Sequence, residues 1–324
     1  MLTGVGGSPV DVLHLLTLGN TRLRPERSTE LEGGFDAELF DGRVSVSYSG
    51  YDKLRRDALV TIPVAPSVHG GGLYTVNLGE VSNKGAEVTL GVEPLRSAPL
   101  TWRVNLNLST NANKLVRLAP GQQPVNLEGS ERLVPGYPLF GRWARPVVGW
   151  VDANHDHLID TSEVILGDTA VYVGQPLPKY HASMATTVGL FRGRLTVDAT
   201  FDYQDGQTQF DANGHDPLLL AANDPRASEA EQAAVAALDK TPFGLIQTVN
   251  TFRFNSLSVS LAMPDGVARA FRARTMSVAL QGTNLGLHTN YRSIDPSVNA
   301  GEHGEDDGQL PEPRTWALSI RFGN

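Results

Sequence analysis

The segment LTWRVNLNL, residues 100–108, decides the fold class, because apolar and polar residues alternate along its whole length. Its apolar members are Leu100, Trp102, Val104, Leu106 and Leu108, and the residues between them are polar. Successive side chains of a β-strand point to opposite faces. The segment therefore predicts a strand with one apolar face and one polar face.

The same alternation recurs in RLTVDATFDY (194–203) and TWALSIRF (315–322), and a shorter version stands in RVSVSY (43–48). Two structures fit strands of this kind. In a soluble antiparallel sandwich the apolar face packs on a core, whereas in an outer-membrane barrel it contacts lipid and the polar face lines the lumen. The connections between the strands distinguish these two interpretations.

Nine strands are predicted, and the links between them alternate in length. The predicted strands cover residues 30–40, 43–52, 80–92, 100–108, 180–191, 194–203, 248–262, 272–281 and 315–322. The short links fall at 41–42, 93–99, 192–193 and 263–271, and the long ones at 53–79, 111–179, 204–247 and 284–314. Short turns on one side and long loops on the other are typical of an outer-membrane barrel, and a sandwich seldom sorts its loops in this way. Within the third long loop, the Ala- and Glu-rich residues 226–240 predict a helix.

The predicted fold class is therefore all-β, an antiparallel transmembrane β-barrel segment with short periplasmic turns and long extracellular loops. Nine is an odd number of strands, and the chain starts in mid-barrel. Alone, it would leave open sheet edges in lipid, which is not tolerated. We therefore interpret the chain as about nine to ten strands of a larger barrel.

Composition excludes several other classes. The chain has 324 residues, a net charge of −8 and no Cys. A nucleic-acid partner is not expected, because it requires clustered Lys and Arg, and Cys-based metal sites and disulfides are excluded. No run approaches the roughly 18 apolar residues that a spanning helix needs, although a barrel strand needs only every second residue to be apolar. The first 16 residues lack the features of a signal peptide, so an upstream segment is expected if the protein lies outside the inner membrane.

The links and strands also resemble a known family in order and spacing. The resembling pieces are TLGNTRLRPERSTELEGGFD (17–36), VNLGEVSNKGAEVTL (76–90), VPGYPLFGRW (134–143), VGWVDANHDHLID (148–160), NLGLHTNYRSIDPSVN (284–299) and RTWALSIRF (314–322). Together they resemble the C-terminal barrel region of TonB-linked outer-membrane receptors of the SusC/RagA type.

The resemblance implies that residues 1–324 form the C-terminal part of a TonB-dependent receptor barrel in the bacterial outer membrane, without the plug domain. Residues 111–179, 204–247 and 284–314 would be its long extracellular loops. The implied function is import of large nutrients of the oligosaccharide, glycan or peptide class. The implied partners are outer-membrane lipid, a SusD-like surface lipoprotein, the TonB system and a polymeric nutrient substrate.

One segment matches the twelve-residue calcium loop. Its candidate ligands are the side chains of Asp152, Asn154, Asp156, Asp160 and Glu163 and the carbonyl of Leu158. Calcium requires six to eight oxygen ligands, and alternate residues of a coiled loop converge to supply them. His157 departs from the pattern, because the sharp turn at that position favours Gly. Two interpretations stay open: a calcium site that pins an extracellular loop, and a solvated acidic loop.

Other residues have a candidate role and a simpler alternative. Polar residues of the strands could contact substrate in the lumen or only form its wet wall: Arg103, Asn105, Asn107, Arg194, Asp198 and Asp202. Aromatic residues of the strands could form interfacial girdles or pack in a soluble core: Trp102, Tyr203, Trp316 and Phe322. Aromatic residues of the second long loop could stack on sugars or pack within the loop: Tyr137, Phe140, Trp143 and Trp150.

No motif indicates an enzyme, since the sequence contains no G-x-S-x-G elbow, Walker loop, dinucleotide fingerprint or H-E-x-x-H zinc motif. The first hypothesis is therefore a non-enzymatic outer-membrane transporter. The alternative is a soluble, calcium-stabilised β-rich binding protein on the cell surface.

Overall fold

The structure, a computed structural model, describes residues 17–64, 72–127, 129–211, 226–297 and 310–323. The N-terminal residues interpreted above as lacking a signal peptide lie outside this part of the chain, as do residues 212–225 and 298–309 of the predicted long loops. No helix in the described ranges is long and apolar enough to span a membrane.

Strands make up most of the described chain, with two short helices. Nine long strands form one sheet: β2 (Arg27–Leu39), β3 (Val44–Arg56), β6 (Gly79–Arg96), β7 (Leu100–Leu118), β14 (Tyr180–Leu190), β15 (Leu195–Phe210), β16 (Ile246–Ala262), β17 (Thr275–Thr289) and β18 (Thr315–Gly323). The short strands are β1 (Thr17–Leu18), β4 (Leu59–Pro63), β5 (Leu73–Asn77), β8 (Val125–Asn126), β9 (Glu131–Leu133), β10 (Gly141–Ala144), β11 (Val147–Trp150), β12 (Val164–Leu166) and β13 (Val171–Gly174). The helices are α1 (Glu229–Ala236) and α2 (Asp265–Ala270), and a 3₁₀ turn covers Phe243–Leu245.

The nine long strands are the nine that the sequence predicts. Each pairs antiparallel with the next long strand along the chain, so the spatial order follows the sequence order from β2 to β18. Within the described residues the two outer strands do not pair with each other, so the sheet stays open at β2 and β18. The fold is therefore the predicted antiparallel barrel segment.

The register aligns the alternation of neighbouring strands, which gives the sheet two chemically distinct faces. One row of directly paired residues is apolar across six strands: Trp102, Val188, Val197, Val259, Leu280 and Leu318. Another row is polar across six strands: Ser47, Thr89, Asn107, Ser183, Asp202 and Arg253. We call these the apolar face and the polar face.

The apolar face is open to its surroundings. Leu318 is 69% exposed and Trp316 is 57% exposed. Among the described residues, the other strands form only small sheets of two to four strands, and none of them pairs with the large sheet. A soluble sandwich needs a second sheet over its apolar face, so the alternative of a soluble β-rich protein does not fit this structure.

A β-bulge keeps the apolar face continuous where the sequence breaks its alternation. Phe252 and Phe254 are two residues apart, but the next apolar residue, Leu257, comes three residues later. The register of β16 shifts between Phe254 and Ser256, so one extra residue is absorbed at this point. Without the bulge, every side chain beyond it would change faces.

Two of the four short links are tight hairpins of the same form, as predicted. In the first, Phe40, Asp41 and Gly42 have φ of 56°, 56° and 74°. In the second, residues 191–193 repeat this conformation, with φ of 54°, 60° and 79°. All the short links lie at one end of the sheet, which we call the short-turn end. The opposite end is the long-loop end.

The long loops begin and end differently from the prediction. The strands run into the predicted loops 111–179, 204–247 and 284–314: β7 reaches Leu118, β15 reaches Phe210 and β17 reaches Thr289. Apolar and polar residues do not alternate regularly in these extensions, and backbone pairing with the neighbouring strand holds them. In the predicted short link 263–271 the chain forms α2.

The long loops carry their own small sheets and cores. Strands β1, β5 and β4 form one sheet, β13, β10, β9 and β8 a second, and β11 and β12 a third. One buried cluster, which includes Ala58, Val81, Leu115 and Leu133, joins the first loop to the long-loop end of β6 and β7. The loops therefore pack on the barrel wall and on each other.

Candidate functional site

The polar face holds a cavity at the long-loop half of β2, β3, β6 and β7. Its volume is about 640 Å³. Alternation brings polar side chains of the four strands to one surface, and the loops cover it with Ala58, Leu139 and Phe140. Its wall contains three carboxylates, three amides and a phenol: Glu30, Glu32, Glu87, Asn83, Asn111, Asn113 and Tyr51.

Hydrogen bonds between strands order this wall. The Tyr51 hydroxyl donates to Oδ1 of Asn111 at 3.3 Å, and Nδ2 of Asn113 donates to Oδ1 of Asn83 at 2.6 Å. The Asn113 Oδ1 atom accepts the backbone N–H of Leu139 at 2.8 Å, which ties the covering loop to the barrel wall. The cavity is therefore a preformed polar surface that can accept and donate hydrogen bonds to a bound molecule.

Five of the six residues predicted to face the lumen lie on the polar face of their strands, and most of these are occupied. The sixth, Arg194, lies in the short link before β15. Arg103 forms an ion pair with Glu93 at 3.0 Å. Asn107 bridges Thr89 and Ser183, at 3.0 and 3.2 Å. Asp198 accepts a hydrogen bond from the Thr187 hydroxyl at 2.7 Å. Asp202 forms a hydrogen bond with Nε2 of His181 at 2.6 Å. Such a network of side chains bonded to one another is expected of residues that form the wall of the lumen.

The sequence did not indicate a second polar cluster, which joins β16 to the last long loop. Arg253 donates to Oδ1 of Asn284 at 2.7 Å and to Oδ1 of Asp295 at 2.6 Å. Ser297 also donates to Asp295. Burial opposes ionisation of Asp295, but the hydrogen bonds from Arg253 and Ser297 outweigh it, so its pKa lies below the ordinary value. Forty-two residues separate Arg253 from Asp295, and no spacing rule links them.

The calcium-like loop forms a closed turn. Both carboxylate oxygens of Asp152 accept backbone N–H groups, from Asp156 at 3.2 Å and His157 at 3.1 Å. Glu163 is buried and accepts the N–H groups of Ala153 and Asp160, so the first and last positions of the motif lie together. His157 adopts the φ of 64° that the Gly-preferring position requires.

The oxygens of the loop are turned towards backbone N–H groups in this conformation. Hydrogen bonds from Ser162 hold the pKa of Asp160 below its ordinary value, which favours the carboxylate. Over the described residues no group of three or more His, Asp or Glu side chains converges as a metal site. The backbone conformation and the set of oxygen donors fit a calcium loop, and metal binding itself stays a prediction.

The predicted helix forms as α1 and holds the calcium-like loop in place. Ser228 and Glu231 form a capping box at its N-terminus, so the helix is shorter than the predicted residues 226–240. The Gln232 side chain accepts the buried N–H of Ile159 at 2.8 Å. Nζ of Lys240 donates to the Thr161 carbonyl at 2.5 Å. The composition of residues 226–240 alone gave no sign that this helix packs on the calcium-like loop.

The buried face of α1 completes a small core under the same loop. Ala233 and Ala237 are fully buried against Ile159 and Val164. Trp150 packs beside them and donates from Nε1 to Glu229 at 3.1 Å. Of the two roles considered for Trp150, packing within the loop is the one this structure provides.

Two of the other loop aromatics also pack within the loop. Tyr137, Trp143 and Tyr172 form a cluster with ring centroids 4.7 to 5.7 Å apart. Burial raises the pKa of Tyr172. Phe140 covers the cavity on the polar face, so it is the predicted loop aromatic that could contact a molecule bound there.

The predicted girdle aromatics all lie exposed on the large sheet. Trp102 and Phe322 lie towards the short-turn end, and Tyr203 and Trp316 lie further along their strands. Their distribution over both halves fits two belts, and the contact with a membrane interface stays a prediction.

Comparisons with known proteins agree with this geometry. The family described as TonB dependent receptor-like, beta-barrel matches residues 14–224. TonB-dependent receptor P3 of Formosa agariphila is 33% identical over 98% of this chain, and TonB-dependent receptor P26 of the same organism is 26% identical over 94%. The receptor SusC of Bacteroides thetaiotaomicron is 26% identical over 32% of the chain.

Solved structures share the fold. The RagAB peptide transporter superposes with a TM-score of 0.72 at 16% identity, over 91% of this chain and 35% of that chain. The RagAB peptide importer in the open-open state also gives a TM-score of 0.72, over 95% of this chain and 36% of that chain. The chain spans 36% of the length of receptors P3 and P26.

Proposed function

The chain belongs to the TonB-dependent receptor β-barrel family, and we propose that it forms the C-terminal part of an importer of large nutrients. Members of this family lie in the bacterial outer membrane. The apolar face therefore contacts lipid and the polar face contacts the lumen. The short-turn end lies in the periplasm and the long-loop end outside the cell.

The observation that carries the proposal is the cavity on the polar face at the extracellular half of the barrel. Its hydrogen-bonding wall is ordered before any molecule binds, and Phe140 at its cover offers an apolar surface. Carboxylates, amides and a tyrosine bind hydroxyl and amide groups, which oligosaccharides, glycans and peptides present repeatedly. The proposed substrate is an oligomer of one of these classes.

The proposed activity is transport, with no enzymatic step assigned to this chain. By likeness to SusC and to the RagAB transporter, we propose that a SusD-like surface lipoprotein captures the substrate and that TonB supplies the energy for import. The RagAB protein is a peptide transporter. That supports peptides as one class to test here.

Uptake by whole cells tests the proposal. The gene is deleted, complemented with the full-length gene product, and supplied with fluorescently labelled oligosaccharides and with peptides of matched size. The variant Tyr51→Ala removes a cavity side chain. Tyr48→Ala, three residues earlier on the same strand, removes the same side chain from the apolar face.

We expect Tyr51→Ala to lower the uptake of one substrate class several-fold per receptor in the outer membrane, because a half-buried hydrogen-bonding contact of the cavity wall is lost. Tyr48→Ala should leave uptake near the wild-type rate. Uptake that is unchanged by deletion of the gene, for every oligosaccharide and peptide supplied, would contradict the proposal.

We also propose that residues 152–163 bind calcium and thereby stiffen an extracellular loop. The six positions named above supply oxygen ligands, and a divalent cation would offset the repulsion between their carboxylates.

Limited proteolysis of the full-length gene product, with calcium or with a chelator, tests whether this loop binds calcium. Protection should require calcium in the wild type and be lost in Asp152→Asn. The variant Asp168→Asn, an exposed acid outside the motif, is the control. Equal cleavage of the wild type under both conditions would refute calcium binding.

A further inference from the structure

The periplasmic links are basic, although the chain as a whole has a net charge of −8. Residues 40–43, 93–99, 191–194 and 263–274 contain seven arginines and three carboxylates. The arginines are Arg43, Arg96, Arg192, Arg194, Arg269, Arg272 and Arg274, and all are exposed. The periplasmic end therefore presents a band of guanidinium groups, which we call the arginine rim.

Most of the rim is not neutralised by the protein. Glu93 is already paired with Arg96 and Arg103. The guanidinium groups of Arg192, Arg272 and Arg274 have no hydrogen-bond or ion-pair partner in the described part of the chain. A guanidinium presents donors in a fixed fork that matches phosphate geometry. The rim is thus available to bind an external anion.

Exposed phenylalanines stand beside these arginines. Phe40, Phe191 and Phe271 are 74%, 68% and 60% exposed, and each lies in a short link. Phe40 and Phe191 also have positive φ, a conformation that is costly for a bulky residue. Phe271 contacts Phe322, with ring centroids 5.9 Å apart. For Phe40 and Phe191, neither packing within the chain nor backbone preference accounts for phenylalanine. An apolar surrounding at the periplasmic end of the barrel does account for it.

We propose that the arginine rim and its phenylalanines bind anionic phospholipids of the periplasmic leaflet. The rings insert at the boundary between headgroups and acyl chains, and the guanidinium groups bind the phosphates. A membrane fits both features at once, because an anionic headgroup lies directly above an apolar layer. The rim would thereby fix the depth of the barrel at its periplasmic side. The inference does not depend on the transported substrate.

Lipid retention by the purified full-length gene product tests the proposal. The protein is reconstituted in nanodiscs of phosphatidylcholine with and without phosphatidylglycerol, and native mass spectrometry measures the lipid that remains bound. The test variant combines Arg192→Gln, Arg272→Gln and Arg274→Gln. Its control combines Arg22→Gln, Lys114→Gln and Lys179→Gln. These three cations are exposed at the long-loop end, so both variants lose the same charge.

We expect the rim variant to lose affinity for phosphatidylglycerol by on the order of tenfold, because each cation near an anionic surface contributes to binding. The control should retain wild-type affinity, and both proteins should keep heat-modifiable mobility on a gel, which reports a folded barrel. Equal retention of phosphatidylglycerol by the wild type and the rim variant, or equal losses in the rim variant and the control, would overturn the proposal.

A second variant separates insertion of the rings from charge. Phe40→Ser with Phe191→Ser should lower the retention of both lipids alike and preserve the preference for phosphatidylglycerol. Unchanged retention of both lipids in this variant would contradict the anchoring role of the phenylalanines. These outcomes do not depend on uptake, so the lipid proposal and the transport proposal can fail separately.

Discussion

Arginine placed on either side of one strand should show which face contacts lipid. Leu257 lies on the apolar face of β16, paired with Ala199 and Gly282, and the next residue, Ser258, lies on the polar face, paired with Asp198. Leu257 is five residues from the periplasmic end of β16. With a rise of about 3.4 Å per residue and a tilt of about 40°, this is about 13 Å along the membrane normal.

That depth is close to the middle of an apolar band about 25 Å tall, where an exposed arginine costs about 2–4 kcal/mol. We therefore expect Leu257→Arg to lower the free energy of unfolding by at least that amount, since the leucine contact with lipid is lost as well. Ser258→Arg should change it by about 0.5 kcal/mol or less, because the new cation faces the lumen beside Asp198.

The assay is urea unfolding of the full-length gene product in lipid vesicles, followed by tryptophan fluorescence and checked by heat-modifiable mobility. Both substitutions add the same side chain at adjacent positions, so differences in synthesis or charge cancel. If Ser258→Arg destabilised the protein as much as Leu257→Arg, the assignment of the two faces would be wrong.

Three further changes test the loop region and its polar clusters. Gln232→Ala should destabilise the docking of α1 by about 1–3 kcal/mol, because the buried N–H of Ile159 loses its acceptor, and hydrogen exchange at residues 158–163 would detect it. Ser228→Ala should cost about 1 kcal/mol through loss of the N-cap, and protease cleavage near α1 should become faster. Asp295 has a lowered pKa in the folded protein, so its contribution to stability is present above the ordinary value of 3.8 and is lost as the pH falls through the folded value. Asp295→Asn should therefore have a lower free energy of unfolding than the wild type at neutral pH. A difference in the free energy of unfolding between the two proteins that did not narrow in acid would contradict this.

The limits of the sequence signal are clear at the ends of the strands. Alternation predicts β7 only while one face is apolar, as in residues 100–108. Beyond Leu108 the strand continues through Asn111 and Asn113 to Leu118, where both faces are polar or covered by loops. There the backbone ladder with β6 defines the strand, and that ladder is visible only in the structure.

The calcium-like loop shows the same division between local and distant signals. The spacing of Asp152 to Glu163 is local, so the sequence displays it directly, and the φ of His157 follows from the turn. The partner of the loop is not local. Gln232 lies 73 residues from Ile159, and a helix with alanine on all sides gives no sign of which face is buried.

The amino-acid sequence by itself determined the nine strands, their two faces and the sorting of short and long links, because each depends on alternation or on a turn within a few residues. The tertiary structure alone decided the bulge in β16, the cavity beneath Phe140, the Arg253–Asp295 cluster and the docking of α1. These depend on contacts between residues that lie far apart in the chain. Only the register of the sheet and the packing of the loops bring such residues together.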